Sequence, residues 1–226
     1  MNVSQELVAF YTTLRRYHAH YEVTLGAISL SLNGFVVYMV MTTRNRVMRS
    51  YCWVVLMSMF ADIVYVLSNM IAMTVVEVKG GLMYWLTLGP FSHGPNPTGK
   101  VMGALSMTIL YMVIATLGMQ FIYRYYALCK TPLTLTQFSI FYLAVTVYCI
   151  IDAAIGGFIF DGESVEATRM IQEHPMYMYD TPTYMIVDPR KPIHSVHLVF
   201  SQLIVVVVYV VVIYTSRKIN EKLKEA

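Results

Sequence analysis

Polar side chains recur at helical spacing inside an otherwise apolar stretch of this chain. All of them lie on one face of a helix, and they are Ser58, Asp62, Tyr65 and Asn69. An ionisable group inside a membrane costs roughly a few kcal/mol, which makes Asp62 a functional candidate by default. Two structural explanations stay open, because Ser58 could hydrogen-bond to this carboxyl group and because a protonated carboxyl group carries no charge.

A second carboxyl group, that of Asp152, lies in another apolar stretch beside Cys149 and Gly156. Its position favours the lining of a pocket or simple helix packing over an ion relay. If Asp62 and Asp152 lined one path, the chain would be a small ion channel or transporter subunit. That alternative predicts inverted repeats or broken helices, and the sequence shows no pair of Gly- or Pro-interrupted segments in corresponding positions.

Histidine is the other residue type here that could do chemistry. His194 and His197 are three residues apart, a spacing that could form a metal or pH-sensitive site. The sequence places no third ligand beside them, so ordinary interfacial histidines are the favoured interpretation. No Gly-rich phosphate loop, GxSxG or HExxH motif occurs, and we therefore predict neither an enzyme nor a metal or cofactor site.

Long apolar segments must position these residues. Of the 226 residues 57% are hydrophobic and only 13% are charged, about half the charged fraction of an ordinary soluble domain. Runs close to the ~20 residues that span a bilayer recur at about 23–43, 51–76, 101–123, 138–160 and 196–214. We predict a single all-α transmembrane domain over 1–226, a membrane helical bundle of five helices in contact with lipid. The net charge of +3 and the lack of a basic stripe exclude a nucleic-acid partner.

The distribution of charge favours an N-terminus outside the membrane. With that orientation nine of the 16 Lys and Arg residues flank the inner ends of the helices, as the positive-inside rule expects. Residues 161–193 would then form a long outer loop and residues 215–226 a cytoplasmic tail. Asn2, in the sequon Asn2-Val3-Ser4, would be a luminal glycosylation site.

Two outer segments differ in their expected structure. Residues 77–100 are rich in Gly and Pro and are expected to form a loop. In the longer loop, "MYMYDTPTYMIVD" has alternating residues on both sides of Asp180-Thr181-Pro182-Thr183, a pattern that could close a β-hairpin over the bundle. An irregular loop rich in Tyr and Met is the equal alternative, because prolines interrupt the segment.

The third run ends on an arginine between tyrosines. In "QFIYRYYALCK", Arg124 stands where the bilayer core should end, with Tyr123 and Tyr125 in the interfacial aromatic belt. As a membrane feature alone, Arg124 is an anchor at the inner face. The first run carries Asn33 on a face of small and polar residues, which favours close helix packing.

Several segments of the chain resemble the nematode seven-transmembrane chemoreceptors, the serpentine receptor classes Str, Srj and Srd. The similar segments are "LSLNGFVVYMVMTT", "FADIVY", "LGPFSHGPN" and, most specifically, "FIYRYYAL", and the similarity continues to "RKINEKLKEA" after the last run. The resemblance implies a G-protein-coupled sensory receptor with its N-terminus outside, in a plasma or ciliary membrane. Its implied partners are an odorant or pheromone and a heterotrimeric G protein.

The resemblance also implies roles for individual residues. A small ligand would bind among the outer halves of the helices, where Tyr111, Asp152 and Gln202 are the candidate pocket residues. Arg124 would match the arginine at the inner end of helix 3, a conformational switch flanked by Tyr123 and Tyr125. Asn33 and Asp62 would match polar positions of helices 1 and 2 that form an interior network in rhodopsin-like receptors. Ser58 and Asn69, which share the helical face of Asp62, are the other candidates for this network.

The sequence departs from the family pattern in two respects. The family has seven helices, whereas five apolar runs occur here, so the helix 6 movement that opens a G-protein cleft has no counterpart. A truncated or non-signalling form of the receptor is therefore expected. No cysteine occurs at the outer end of helix 3 or in residues 161–193, which removes the disulfide common in rhodopsin-like receptors.

Overall fold

The chain is described by a computed structural model that covers residues 5–42 and 49–225. In chain order its elements are α1 (Gln5–Thr42), α2 (Arg49–Ala72), β1 (Thr74–Lys79), β2 (Leu82–Thr87), α3 (Thr98–Cys129), α4 (Leu135–Ile159), α5 (Val165–Gln172), β3 (Tyr184–Val187) and α6 (Pro192–Glu225). Five of these helices are long and apolar enough to cross a membrane, namely α1, α2, α3, α4 and α6. The predicted all-α membrane class is confirmed.

The described residues form two compact units. Unit 1 takes its residues from Met1–Ser29, Val66–Met107 and Ala153–His197, and unit 2 from Leu30–Tyr65, Thr108–Asp152 and Leu198–Ala226. Each of the five long helices contributes to both units. The expectation of one domain over 1–226 stays a prediction.

Helix α1 begins much earlier than the first apolar run suggested. The sequence predicted a start near Val23, whereas the helix starts at Gln5. No proline or glycine interrupts residues 5–25, and Leu7, Phe10 and Leu14 recur at helical spacing, so nothing in this stretch ends the helix. The charged residues before Val23 therefore end the apolar run, but they do not end the helix.

The segment after α2 forms a β-hairpin where a helix end and a loop were expected. Helix α2 ends at Ala72, short of the predicted end at residue 76, and Met73 follows with a positive φ of 44°. The β-branched residues from Thr74 onward enter strand β1, which pairs antiparallel with β2. Gly80 and Gly81 adopt φ values of 61° and 80°, as the two-residue turn between the strands requires.

The hairpin considered around Asp180–Thr183 is wrong. Only its second arm is a strand, β3, and β3 pairs antiparallel with β2 to complete a three-stranded sheet of order β1-β2-β3. Pro182 has no backbone N–H to donate to a β-ladder. The residues expected to form the first strand of the hairpin make other contacts. The ring of Tyr177 is fully buried and its hydroxyl donates to Glu77 of β1.

One face of this sheet packs against α5 to form the core of unit 1. The buried residues of this core are Leu82, Tyr84, Leu86, Ala167, Ile171, Tyr177, Tyr184 and Ile186. The hydroxyls of the two strand tyrosines, Tyr84 and Tyr184, form hydrogen bonds with the backbone or side chains of α5 and its N-cap segment. Gly99 lets α3 approach β3 closely, because a Cβ there would lie 2.4 Å from the carbonyl oxygen of Tyr184.

Unit 2 consists of the helical segments that hold most of the predicted site residues. Its aromatic core contains Val54 of α2, Met119 and Tyr123 of α3, and Phe138 of α4. Because these side chains come from three helices, they fix the positions of α2, α3 and α4 around one another within this unit.

Candidate functional site

Asp152 is a buried carboxylate in unit 2, with only 4% of the residue exposed. Ser201 of α6, which is equally buried, donates its hydroxyl to Asp152 Oδ1 at 3.0 Å. A buried polar group needs such a partner, since leaving it unpaired costs about 1–3 kcal/mol. This hydrogen bond joins α4 to a helix that is otherwise rich in valine.

The next residue of α6 joins a different helix. Gln202 Nε2 donates to the hydroxyl oxygen of Tyr111 in α3 at 3.2 Å. Tyr111 is also buried, with 5% exposed. Adjacent residues of a helix point about 100° apart, which is why Ser201 and Gln202 can bond to α4 and α3 respectively.

The structure thus brings the three predicted pocket residues into one region. Tyr111 and Gln202 are in direct contact, whereas Asp152 is connected to the same turn of α6 through Ser201. Ser201 was not among the predicted site residues. Its position next to Gln202 on a valine-rich helix was the signal that could have identified it.

Unit 2 also contains an apolar cavity of about 500 Å³, whose lining does not include Tyr111, Asp152, Ser201 or Gln202. It is lined by α3, α4 and α6, and its walls include Ala115, Tyr148 and Phe200. These three residues lie within one helical turn of Tyr111, Asp152 and Ser201 in the sequence. The lining contains no charged side chain, so the cavity suits an uncharged molecule.

Arg124 lies in the last turns of α3 among aromatic side chains. Its Nη2 donates to the hydroxyl oxygen of Tyr51 in α2 at 3.1 Å, and its guanidinium carbon lies 5.5 Å from the ring centroid of Phe121. Tyr123 is buried against Tyr51 and Phe138, with ring centroids 6.3 Å and 5.5 Å away.

Tyr125 faces a different set of rings, those of Tyr126 and Tyr214, at centroid distances of 5.7 Å and 6.2 Å. The three residues singled out around Arg124 therefore do not form one contact cluster. Tyr123 connects α3 to α2 and α4, whereas Tyr125 connects α3 to α6.

Two of the four residues proposed as an interior polar network, Ser58 and Asn69, bond to different partners. In unit 2 the Ser58 hydroxyl accepts a hydrogen bond from Gln120 Nε2 of α3. In unit 1 Asn69 donates to Glu22 Oε2 of α1 at 2.7 Å. Asn33 is 9% exposed, and Asp62 is half-buried.

Gln120 and Glu22 were missed from the sequence. Gln120 could have been identified as a polar residue one helical turn before Arg124 inside an apolar run. Glu22 immediately precedes the first apolar run, so its contact with α2 follows from the fold and not from local pattern. Asn2, the glycosylation candidate, lies outside the described residues.

The histidine pair belongs to unit 1 and is occupied by internal contacts. His194 Nδ1 accepts the backbone N–H of Asp188 at 3.0 Å, and Nε2 lies 3.0 Å from the carbonyl oxygen of Ile159. Both ring nitrogens of His194 are therefore engaged by backbone groups. The described residues contain no group of three or more His, Cys, Asp or Glu side chains that could hold a metal ion.

Comparison with known proteins assigns the family. Residues 19–226 match the family described as serpentine type 7TM GPCR chemoreceptor Str. No curated protein sequence matches the chain. The match confirms the resemblance inferred from "FIYRYYAL" and related segments, and together with five apolar helices it makes the chain an integral, multi-pass membrane protein. The family is a receptor family and not an enzyme class. The chain belongs to the Str family of serpentine-type seven-transmembrane G-protein-coupled chemoreceptors.

Proposed function

We propose that this chain detects a small odorant or pheromone through the polar pairs Tyr111–Gln202 and Asp152–Ser201. The observation that carries the proposal is that two consecutive residues of α6 bond to two different helices, α3 and α4. A ligand that extends beyond the apolar cavity, toward the residues one helical turn from Ala115 and Tyr148, would compete for either bond. Family membership supports the receptor class, and the uncharged lining of the cavity favours a small neutral molecule.

Ligand binding would act by shifting α6 relative to α3 and α4. A molecule that accepts the hydrogen bond of the Gln202 amide would break the bond from Gln202 to Tyr111. It would therefore favour a conformation in which α3 and α6 are no longer joined by this bond. Tyr111 and Arg124 both lie on α3, about 20 Å apart at a rise of ~1.5 Å per residue. Helix α3 is therefore the element that would connect the ligand site to the Arg124–Tyr51 contact.

The proposed orientation places the N-terminus outside and Arg124 at the cytoplasmic face, in a plasma or ciliary membrane. The Arg124 region would then be the surface that faces a heterotrimeric G protein. The described residues contain five candidate spans, and the matching family is described as seven-transmembrane.

A ligand screen on the purified chain in lipid nanodiscs tests the site. Small neutral volatile compounds are tested for stabilisation of the protein against thermal unfolding, and the compounds that stabilise it are retested on variants. We expect Gln202→Leu to weaken binding about 3- to 10-fold, because it removes the amide that the ligand takes over, whereas Tyr111→Phe removes only the competing hydroxyl and should not weaken binding. The control Tyr209→Phe changes an exposed tyrosine of α6 and should leave the affinity unchanged.

Two results would contradict the proposal. Stabilising compounds that bind equally well to Tyr111→Phe and Gln202→Leu would place the ligand elsewhere. Cation flux through liposomes that contain the purified chain, abolished by Asp62→Asn, would instead favour the channel or transporter alternative based on Asp62 and Asp152.

A further inference from the structure

Unit 1 contains a second cavity of different chemical character. Its volume is about 440 Å³, within the ~300–1,000 Å³ range of small-molecule sites. The walls come from the N-terminal part of α1, strand β1 and the segment after α5. Aromatic and aliphatic side chains make up most of the lining, and its charged side chains are those of Arg15 and Glu77.

Glu77 supplies a carboxylate that has no cationic partner. It is half-buried, and its Oε1 accepts the hydroxyl of the fully buried Tyr177 at 2.6 Å. Burial and the neighbouring Glu77 raise the pKa of Tyr177, so this phenol stays protonated and donates to the carboxylate. Among the ion pairs of the described residues none includes Glu77, and Lys79 of the same strand pairs with Glu173 at 3.4 Å.

The positive charge in the lining is already compensated. Arg15 Nη1 donates to Asp180 Oδ2 at 2.8 Å and to the backbone oxygen of Asp180 at 3.2 Å. His18, which also lines the cavity, has its Nε2 3.6 Å from Glu22 Oε1. Arg15 and His18 are thus engaged by carboxylates that do not line the cavity, which leaves Glu77 as the lining carboxylate outside the ion pairs of the described residues.

Aromatic rings border the same space. Tyr17 and Tyr21 of α1 line the cavity together with Tyr177. The face of an aromatic ring attracts an ammonium group by about 0.5–2 kcal/mol, depending on exposure. A carboxylate without a cationic partner, set among tyrosine rings, therefore favours a cation with an apolar body over a neutral or anionic molecule.

We propose that this cavity binds a small organic ammonium ion, whose charge pairs with Glu77 and whose apolar or aromatic body lies against Tyr17, Tyr21 and Tyr177. The site is separate from the Tyr111–Gln202 and Asp152–Ser201 pairs. It requires neither G-protein coupling nor the proposed odorant site, so its test is independent of theirs.

Three probes of nearly equal size separate charge from shape: 2-phenylethylammonium, 2-phenylethanol and phenylacetate. Binding is measured by isothermal titration calorimetry on the purified full chain in nanodiscs of zwitterionic lipid, with empty nanodiscs subtracted. The ammonium ion should bind at least about tenfold more tightly than the alcohol, and phenylacetate should bind most weakly. Glu77→Gln should weaken ammonium binding about tenfold while leaving the alcohol unaffected.

The variants are chosen so that loss of folding does not explain the result. Glu77→Gln keeps an acceptor for the Tyr177 hydroxyl, and Leu14→Trp fills the cavity from α1 without changing any charge. Both should weaken ammonium binding about tenfold or more, whereas Glu166→Gln, which removes an exposed carboxylate of α5 outside this cavity, should leave it unchanged. Phenylacetate binding as tightly as the ammonium ion would identify Arg15 as the anchor and overturn the proposal. Ammonium binding that is absent, or unchanged in both Glu77→Gln and Leu14→Trp, would also overturn it.

Discussion

The guanidinium of Arg124 is bound to the hydroxyl of Tyr51, with Nη2 3.1 Å from the phenolic oxygen. This bond joins the last turns of α3 to the first turn of α2, and the Tyr51 ring lies beside Tyr123, the residue before Arg124. An arginine that sequence pattern alone would treat as a membrane anchor is thus held by a specific side chain of another helix. Under the receptor function proposed above, α3 would transmit a ligand-induced change to this bond.

Substitution Tyr51→Phe should free Arg124 without removing the ring contact with Tyr123. The expected loss in the free energy of unfolding is about 0.5–1.5 kcal/mol, the net value of one hydrogen bond, with somewhat more if the charged donor is left desolvated. Thermal unfolding in nanodiscs measures it, with Tyr126→Phe on the exposed side of α3 as the control. Equal stability of the two variants would show that the Arg124–Tyr51 bond contributes nothing.

The Asp152–Ser201 pair should be non-additive. Ser201→Ala removes a donor from a buried carboxylate and should destabilise the chain by about 1–3 kcal/mol. Asp152→Asn removes the charge that needs the donor, so the double variant should be less destabilised than the sum of the single variants. A double-mutant cycle on the free energy of unfolding measures the coupling, and strict additivity would contradict the bond between the two side chains.

The turn between β1 and β2 offers a test of the sheet in unit 1. Gly80 has a φ of 61°, and a Cβ there would lie 3.1 Å from the end of the flexible Met170 side chain. Gly80→Val should destabilise the fold by roughly 1–2 kcal/mol more than Gly80→Asn, because asparagine tolerates a positive φ and valine does not. Both substitutions add the same Cβ contact, so an equal loss of thermal stability would argue against the turn.

The five membrane helices were predictable from the sequence because length and hydropathy define them. The ends of the helices were not predictable. Helix α1, for example, continues through the charged segment around Arg15 and Arg16, because the residues there are no longer apolar but still favour a helix. The hairpin had a local signal in Gly80-Gly81 between two β-branched or aromatic segments. The third strand of the sheet, β3, also had a local signal in the alternating residues after Pro182, but its pairing with β2 had none, because that pairing joins residues about 100 positions apart in the chain.

For the candidate site, the sequence pointed to the residues themselves but not to the contacts that they make. Tyr111, Asp152 and Gln202 stand out as polar residues within apolar runs, and all three lie in the same region of unit 2. A helical wheel placed Ser58 beside Asp62, but it could not show that Gln120 of another helix bonds to Ser58. Contacts between helices depend on rotation and depth, which a single sequence pattern leaves undetermined.

The side of the membrane on which Arg124 lies tests the receptor account most directly. Cys129 is a free, half-buried thiol five residues beyond Arg124, and it can be made the single cysteine by Cys52→Ser and Cys149→Ala. A membrane-impermeant maleimide is applied to intact and to permeabilised cells, with Tyr179→Cys in the cysteine-free chain as the marker of the opposite side. The account predicts labelling of Cys129 only after permeabilisation and of Tyr179→Cys in intact cells. Labelling of Cys129 in intact cells, with Tyr179→Cys protected, would contradict the orientation and with it the proposed receptor function.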